Sequence, residues 1–396
     1  MNGLLYLVVS FTIIVLLIRL RVNIGVSIFA GSLLLGLLFG LAPQELVNTL
    51  YSSATSWATL RLVLIIVAIM GLTNVFSQTG YLKLMENAAR NLFPDERYSL
   101  AALPALIGLM PMPAGALVSA PMIEGVADEF GIPPERRTLV NYWFRHVWEH
   151  SWPMYQAIII ASAILSVSVR DLSARLFPLT LIMILVGYLF LLRPLGSKAN
   201  GIRNTGEGLR LFLRTTYPIL VIILISIVLG YDMVYGAFIG LLSALLPHFG
   251  RVSKGDVVKY ALQPKIVFLL LSVMYFKGLL EVTGAVETLP RTILNLNFPV
   301  VAVITATPFV VGLITGISFA YVGMTFPLLL PFLTDYRWIA LAYLSGYMGM
   351  LFSPVHLCLV FSAEYYGADL GRVYRELLIP ALVLFFLGVA YILLFL

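Results

Sequence analysis

Charge is what this sequence has least of. Asp, Glu, Lys and Arg make up 11% of its 396 residues, while 60% are hydrophobic. A soluble protein carries roughly 25% charged residues. So few charges cannot cover a water-facing surface of this size, which excludes an ordinary soluble enzyme and assigns the chain to a lipid bilayer. The net balance of +6 is then a question of how basic loops divide between two membrane faces, and no nucleic-acid partner is read from it. Cysteine is nearly absent. Cys358 stands alone in an apolar run, so no disulfide framework exists within the chain and the redox compartment is unreadable. The N-terminus lacks a basic region and a small-residue cleavage site, so Leu4–Ile18 reads as a retained membrane helix, not a signal peptide.

Long apolar runs are abundant. A crossing helix needs about 20 mainly apolar residues. Candidate spans are 3–19, 22–41, 60–78, 136–168, 174–194, 212–230, 233–248, 264–281, 337–366 and 375–395. The runs 136–168 and 337–366 are too long for one simple crossing, and each holds a mid-run proline, Pro153 and Pro354. Proline removes a backbone donor and frees a carbonyl, so both read as broken helices with unwound centres. Residues 98–130 and 299–333 instead carry a small, polar or proline-glycine tip between two short apolar arms, PMPAG at 111–115 and TGIS at 315–318. An arm of about 12 residues rises only about 18 Å, which suits a re-entrant hairpin better than a crossing. Amphipathic segments at Tyr81–Phe93 and, more weakly, Ala285–Asn295 precede the hairpins and suit the membrane interface.

The two halves repeat one another. GLLFG at 36–40 returns as GAFIG at 236–240, SQTG at 77–80 as EVTG at 281–284, IGLM at 107–110 as VGLI at 311–314, and SWP at 151–153 as FSP at 352–354. The order is kept and the offsets stay near 200, which argues for a duplicated unit. The fold class is therefore an all-α polytopic membrane protein. Repeat 1 occupies 1–194, a Gly-rich basic linker 195–211, and repeat 2 212–396. Each repeat reads as five crossings plus one hairpin, and an odd number of crossings inverts the second copy. Basic residues such as Arg19, Arg21, Lys83, Arg136, Arg137, Lys198, Arg203, Arg251 and Lys254 fall on one set of connections; the other set has little beyond Arg170, Arg175, Arg291 and Arg337. The positive-inside rule makes the first set cytoplasmic. Both termini then lie outside, the linker lies inside, hairpin 1 opens inward and hairpin 2 outward.

Paired broken helices and hairpins in inverted repeats are the pattern of a secondary transporter. Half-helix N-termini offer N–H groups to an anion, and freed carbonyls offer oxygen to a cation. The interruptions supply the candidate substrate-binding residues: Pro113, Ala114, Gly115 and Ser119 at the first tip; Asn141, Arg145, His150 and Ser151 on the first broken helix; Thr315, Gly316 and Ser318 at the second tip; Ser353 and His356 on the second broken helix. Arg145 can hold a carboxylate in bidentate fashion. His146 and Glu149 are the candidate coupling residues, since they can carry a proton. Arg145 and Glu149 stand four apart, as do His146 and His150, so a continuous helix lets the first two pair as a structural ion pair. At the matching positions repeat 2 offers Gly346, Tyr347, Met350 and Leu351, so chemical specificity lies mainly in the first half. Lys277 and Glu281 make another i,i+4 pair, with a structural role.

His146-x-x-Glu149-His150 also matches the H-x-x-E-H pattern of a zinc-protease class. No third ligand is evident, Arg145 would repel a cation, and a protease has no use for the repeats. An intramembrane metal-dependent hydrolase is therefore the alternative reading and a passive anion channel the third. The expected function is not enzymatic, with no metal and no cofactor beyond a coupling proton or sodium ion.

At these residues the chain resembles the ion transporter superfamily, and its layout is similar to that of the divalent anion/sodium symporters. The PMPAGAL…SAPM stretch at 111–122 followed by RHVWEHSWP at 145–153 is similar to an uncharacterised membrane family, domain of unknown function 401. The resemblance implies a homodimer in a bacterial or archaeal cytoplasmic (inner) membrane. A scaffold domain would hold its interface, and a transport domain of hairpins and broken helices would slide as an elevator. Met-Pro-Ala-Gly at 112–115 and Gly-Ile-Ser-Phe at 316–319 stand where those symporters show a Ser-Asn-Thr signature. That departure leaves dicarboxylates and sodium coupling unsupported. The expectation is a secondary transporter of a small organic anion, driven by protons or sodium.

Overall fold

Helices begin and end where the local chemistry says they should. The computed structural model describes residues 2–93, 95–112, 115–198, 204–285 and 299–396, and no strand occurs among them. The first half contains α1 (Asn2–Arg19), α2 (Ile24–Leu38), α3 (Pro43–Thr55), α4 (Trp57–Thr79), α5 (Tyr81–Leu92), α6 (Glu96–Gly108), α7 (Gly115–Glu129), α8 (Pro134–Arg145), α9 (Gln156–Leu165) and α10 (Val169–Gly187). The second contains α11 (Thr205–Ile223), α12 (Met233–Leu245), α13 (Lys254–Ala261), α14 (Pro264–Val282), α15 (Val300–Thr315), α16 (Ser318–Leu329), α17 (Tyr336–Leu351), α18 (Leu357–Tyr366) and α19 (Leu370–Phe395). Side-chain oxygens of Asn23, Ser56, Ser168, Asp335 and Asp369 accept the first free N–H groups of α2, α4, α10, α17 and α19. Gly316, at φ 63°, ends α15 in the left-handed region and turns the chain into α16.

The expected interruptions are present with different boundaries. The pair α6 and α7 flanks the first tip, and α15 and α16 flank the second. Helix α8 stops at Arg145, eight residues before Pro153, and the chain runs through turns to α9 at Gln156. The second break is shorter, between Leu351 and Leu357. The linker is also shorter than read from composition, because Asn204 caps a helix that starts at Thr205. Tyr81–Leu92 is helical as expected; its counterpart in repeat 2 lies outside the described residues beyond Ala285. The short helices α3 and α13 were not expected. Pro43 with Glu45 at the start of α3, and Ser253 with Asp256 at the start of α13, are the local signals that could have found them.

Packing between the halves is reciprocal. Helix α2 packs on α14 and α12 on α4; α3 packs on α14 and α13 on α4; α7 packs on α18 and α16 on α9. Small residues permit the tightest crossings. A Cβ on Gly108 would run into the carbonyl of Arg145, and one on Gly312 into the carbonyl of Gly346. Gly108 and Gly312 occupy the same place in IGLM and VGLI, and Arg145 and Gly346 match in the broken helices. The α6–α8 and α15–α17 crossings are thus the same device built twice.

Four described helices are long and apolar enough to cross a membrane: Trp57–Thr79, Val169–Leu195, Thr205–Val228 and Leu370–Phe395. Others, including Ile24–Leu38, Val300–Thr315 and the half-helices α9 and α18, are apolar but shorter. Large apolar side chains stay exposed along the outer helices, such as Leu224, Tyr235, Phe386 and Leu394. That surface is a liability in water and a match for lipid.

Candidate functional site

Breaking α8 frees backbone carbonyls in a water-poor interior, where each must find a donor. Aromatic side chains supply them. From α17, Tyr347 donates its hydroxyl to the carbonyl of His146 (3.2 Å), and Tyr343 to that of Glu149 (2.9 Å). In return Tyr142 of α8 donates to the carbonyl of Leu351 at the end of α17 (3.1 Å). Trp148, Trp152 and Tyr155 donate to the carbonyls of Ala105, Leu109 and Gly108 at the end of α6. The aromatic content of VWEHSWPMY thus caps the end of α6, while Tyr343 and Tyr347 of α17 serve the first break.

Both tips and both breaks meet around one cavity of about 240 Å³. Pro111 and Met112 come from the first tip, Arg145, His146, Glu149, Tyr155 and Gln156 from the first break, Gly316 to Phe319 from the second tip, and His356 to Cys358 from the second break. Met70 of α4, Tyr260 of α13 and Ile266 of α14 close the other side. Arg145 is 3% exposed and Glu149 6%. Such charges are costly at bilayer depth, about 3 kcal/mol each on insertion scales. Arg145 Nη2 donates to the carbonyl of Met112 (2.9 Å), and its Nε has no hydrogen-bond partner. The guanidinium lies against the bare Cα of Gly115, where a Cβ would overlap it. The structural Arg145–Glu149 ion pair that a continuous helix would allow is not formed, because α8 ends at Arg145 and the helical spacing ends with it. Glu149 Oε1 instead lies 3.9 Å from His146 Nε2, the Ser318 hydroxyl lies beside the carboxylate, and Oε2 has no hydrogen-bond partner.

His146 and His356 join the two breaks, Nε2 to Nε2, at 3.0 Å. His146 Nδ1 faces the carbonyl of Tyr142, so that nitrogen carries the proton. In the neutral pair His146 Nε2 therefore accepts and His356 Nε2 donates. Ligand atoms of His146, His356 and Cys358 lie within 4.8 Å of one another. The Nε2–Nε2 contact is a hydrogen bond between the rings, however, and Arg145 adds positive charge beside them. The zinc-protease arrangement is not built. His150 packs against the ring of Tyr347 (centroids 3.9 Å apart, planes tilted by 44°) and stands outside this cluster.

Of the candidate residues, Arg145, His146, Glu149, Gly316, Ser318 and His356 line the cavity. Pro113 and Ala114 lie outside the described residues. Ser119 donates to Asn141 Oδ1 (2.6 Å), and Asn141 Nδ2 reaches Ser362 Oγ (2.9 Å), a closed buried chain tying α7, α8 and α18 together away from the cavity. Ser151 bonds to Thr180 (2.8 Å), Thr315 to the carbonyl of Val311 (2.8 Å), and Ser353 Oγ accepts the N–H of Val355 (3.3 Å); none of the three lines the cavity. Sequence reasoning missed Met112, Tyr155, Gln156 and Cys358. Tyr155 and Gln156 follow the SWP break directly, and Cys358 stands two residues after His356, so proximity to the interruptions was the available signal.

Lys277 and Glu281 approach to 3.9 Å at the end of α14, away from the cavity, as expected of a structural pair.

Among solved structures the chain is similar to the YdaH transporter of Alcanivorax borkumensis, whose topology is described as unusual. The TM-score is 0.60 at 14% identity, over 88% of this chain and 87% of that one. This likeness is one of fold. No curated protein matches the chain. The model of a family of proteins of unknown function, DUF401, matches residues 3–395, so the chain belongs to that family.

Proposed function

We propose that this chain is a secondary active transporter of a small organic anion, carboxylate-like, across the cytoplasmic membrane. The observation that carries this reading is the cavity where all four interruptions converge on a buried guanidinium with an uncommitted Nε. A bound carboxylate would meet Arg145 and the N-terminal end of α16 at Ser318, both favourable to negative charge. The likeness in fold to a transporter supports the same class.

The two halves are inverted repeats, a reading supported by the reciprocal packing of α2, α4, α12 and α14. The hairpins and broken helices form a transport domain, and α1, α2, α4, α11, α12 and α14 form the scaffold of a homodimer. The cavity touches both groups, through Glu149 and His356 on one side and Met70 and Ile266 on the other. Sliding one past the other would carry the solute across as an elevator. Coupling is carried by a proton on His146 and Glu149, with His356 as the partner of His146. Sodium is the other candidate driver.

Purified protein in nanodiscs should gain thermal stability from one or more of acetate, lactate, succinate, gluconate and alanine. Arg145→Ala should cut the apparent affinity for that compound at least tenfold while keeping a cooperative unfolding transition. A variant that keeps the parent's response removes the anchor and with it the proposal.

A further inference from the structure

Two opposite charges share this cavity without pairing. Arg145 and Glu149 form no ion pair, Nε of one and Oε2 of the other lack hydrogen-bond partners, and both residues are more than nine-tenths buried. A buried charge left unpaired costs several kcal/mol as a rule. A simple anion would satisfy Arg145 and leave the Glu149 carboxylate facing like charge. A simple cation would do the reverse. A solute carrying one charge of each sign satisfies both.

We propose that the substrate is zwitterionic, an α-amino acid whose carboxylate is held by Arg145 and whose ammonium is held by Glu149 Oε2. This rests on the transporter reading of the same site and narrows its substrate class. Glu149 Oε1 is turned toward His146, which leaves Oε2 to the ligand. Beyond Arg145 and Glu149 the wall carries no further carboxylate or permanent cation. Met70, Met112, Ile266, Ile317, Phe319 and Met350 give it a large apolar share, and Tyr155, Gln156, Tyr260 and His356 are among its neutral polar groups, so the amino acid's side chain is uncharged and leucine is a fitting probe. A cavity of about 240 Å³ lies below the common range of roughly 300–1,000 Å³ for ligand sites, which favours a single amino acid over a peptide.

The test compares L-leucine with three relatives that each change one group: 2-hydroxy-4-methylpentanoate, 4-methylpentanoate and 3-methylbutylamine. Binding to nanodisc-embedded protein is read by thermal shift, and exchange by counterflow in proteoliposomes. Leucine should bind at least tenfold more tightly than each relative. Glu149→Gln should reduce leucine binding at least tenfold and leave the hydroxy acid's unchanged or improved. The comparison in the parent protein stands even if the variant fails to fold. Equal binding of leucine and the hydroxy acid would overturn the zwitterion and leave the anion transporter intact. If neither these four compounds nor the carboxylates above bind, both proposals fall.

Discussion

At the scale of single residues, the guanidinium of Arg145 owes its position to an absence. Gly115 opens α7, and its missing side chain leaves the room in which Nε and Nη2 lie. A methyl there must displace the arginine or shift the first tip, and overpacking of this kind costs typically about 1–3 kcal/mol. Gly115→Ala should therefore weaken binding of whichever compound stabilises the parent by tenfold or more. Gly125→Ala on the same helix meets nothing within 4 Å and should bind like the parent. Titration of both variants by thermal shift checks this, and equal affinity for the two would show that Gly115 does not set the arginine's place. The polar residues themselves were legible, because Arg145, His146 and Glu149 stand out in an apolar run. Their mutual geometry was not. Helical spacing put Arg145 beside Glu149 and His146 beside His150, but α8 ends at Arg145. The partner that His146 finds is His356, 210 positions away, and no local pattern announces so distant a contact.

At the scale of elements, prolines and small residues marked the interruptions well, while their extents depended on partners elsewhere in the chain. The first break is long because Tyr343 and Tyr347 can serve the carbonyls it frees, while its own Trp148 and Trp152 are drawn to the end of α6. Composition suggested a free linker at 195–211, yet its first residues are strapped to the foot of hairpin 1. Ser197 Oγ donates to Asp95 Oδ2 (2.8 Å), Glu96 N–H donates to the carbonyl of Lys198 (3.0 Å), and Lys198 Nζ pairs with Glu129 (2.9 Å). Burial works against the charge on Asp95. Hydrogen bonds from Ser197, Arg97 and Lys198, with the Arg97 guanidinium beside it, outweigh burial and hold the carboxyl below its usual range. A carboxylate with a lowered folded-state pKa stabilises the fold above its unfolded value, and that contribution is lost as pH falls through the folded value. Asp95→Asn should lower the thermal midpoint at neutral pH, and the gap to the parent should close on acidification. Midpoints measured across the acid range in detergent check this; a gap independent of pH would mean that the charge does not hold the strap.

At the scale of the whole molecule, matching motifs in the two halves were legible because glycine and proline are hard to replace where backbones touch. Gly108 and Gly312 each abut the carbonyl of a broken-helix residue, Arg145 and Gly346, whereas the charges beside Arg145 do not recur in the second half. What composition could not give is the exchange of partners, in which α7 packs on α18 and α16 on α9. That exchange puts a helix beside each tip against the broken run of the other half, and the cavity is lined from both halves. If the copies are inverted, matching connections must face opposite sides of the membrane. Pro133 and Thr334 make the comparison: both are exposed, and each sits between a hairpin and its following broken helix. The only native cysteine, Cys358, is buried, so an impermeant maleimide has little background. Pro133→Cys should react in inside-out vesicles and resist in intact cells, because the basic connections beside it, with Arg136 and Arg137, belong in the cytoplasm. Thr334→Cys should do the opposite. Reaction of both from one side would make the repeats parallel. Hairpin 2 would then open on the same face as hairpin 1, and the cavity could no longer be offered to each side in turn.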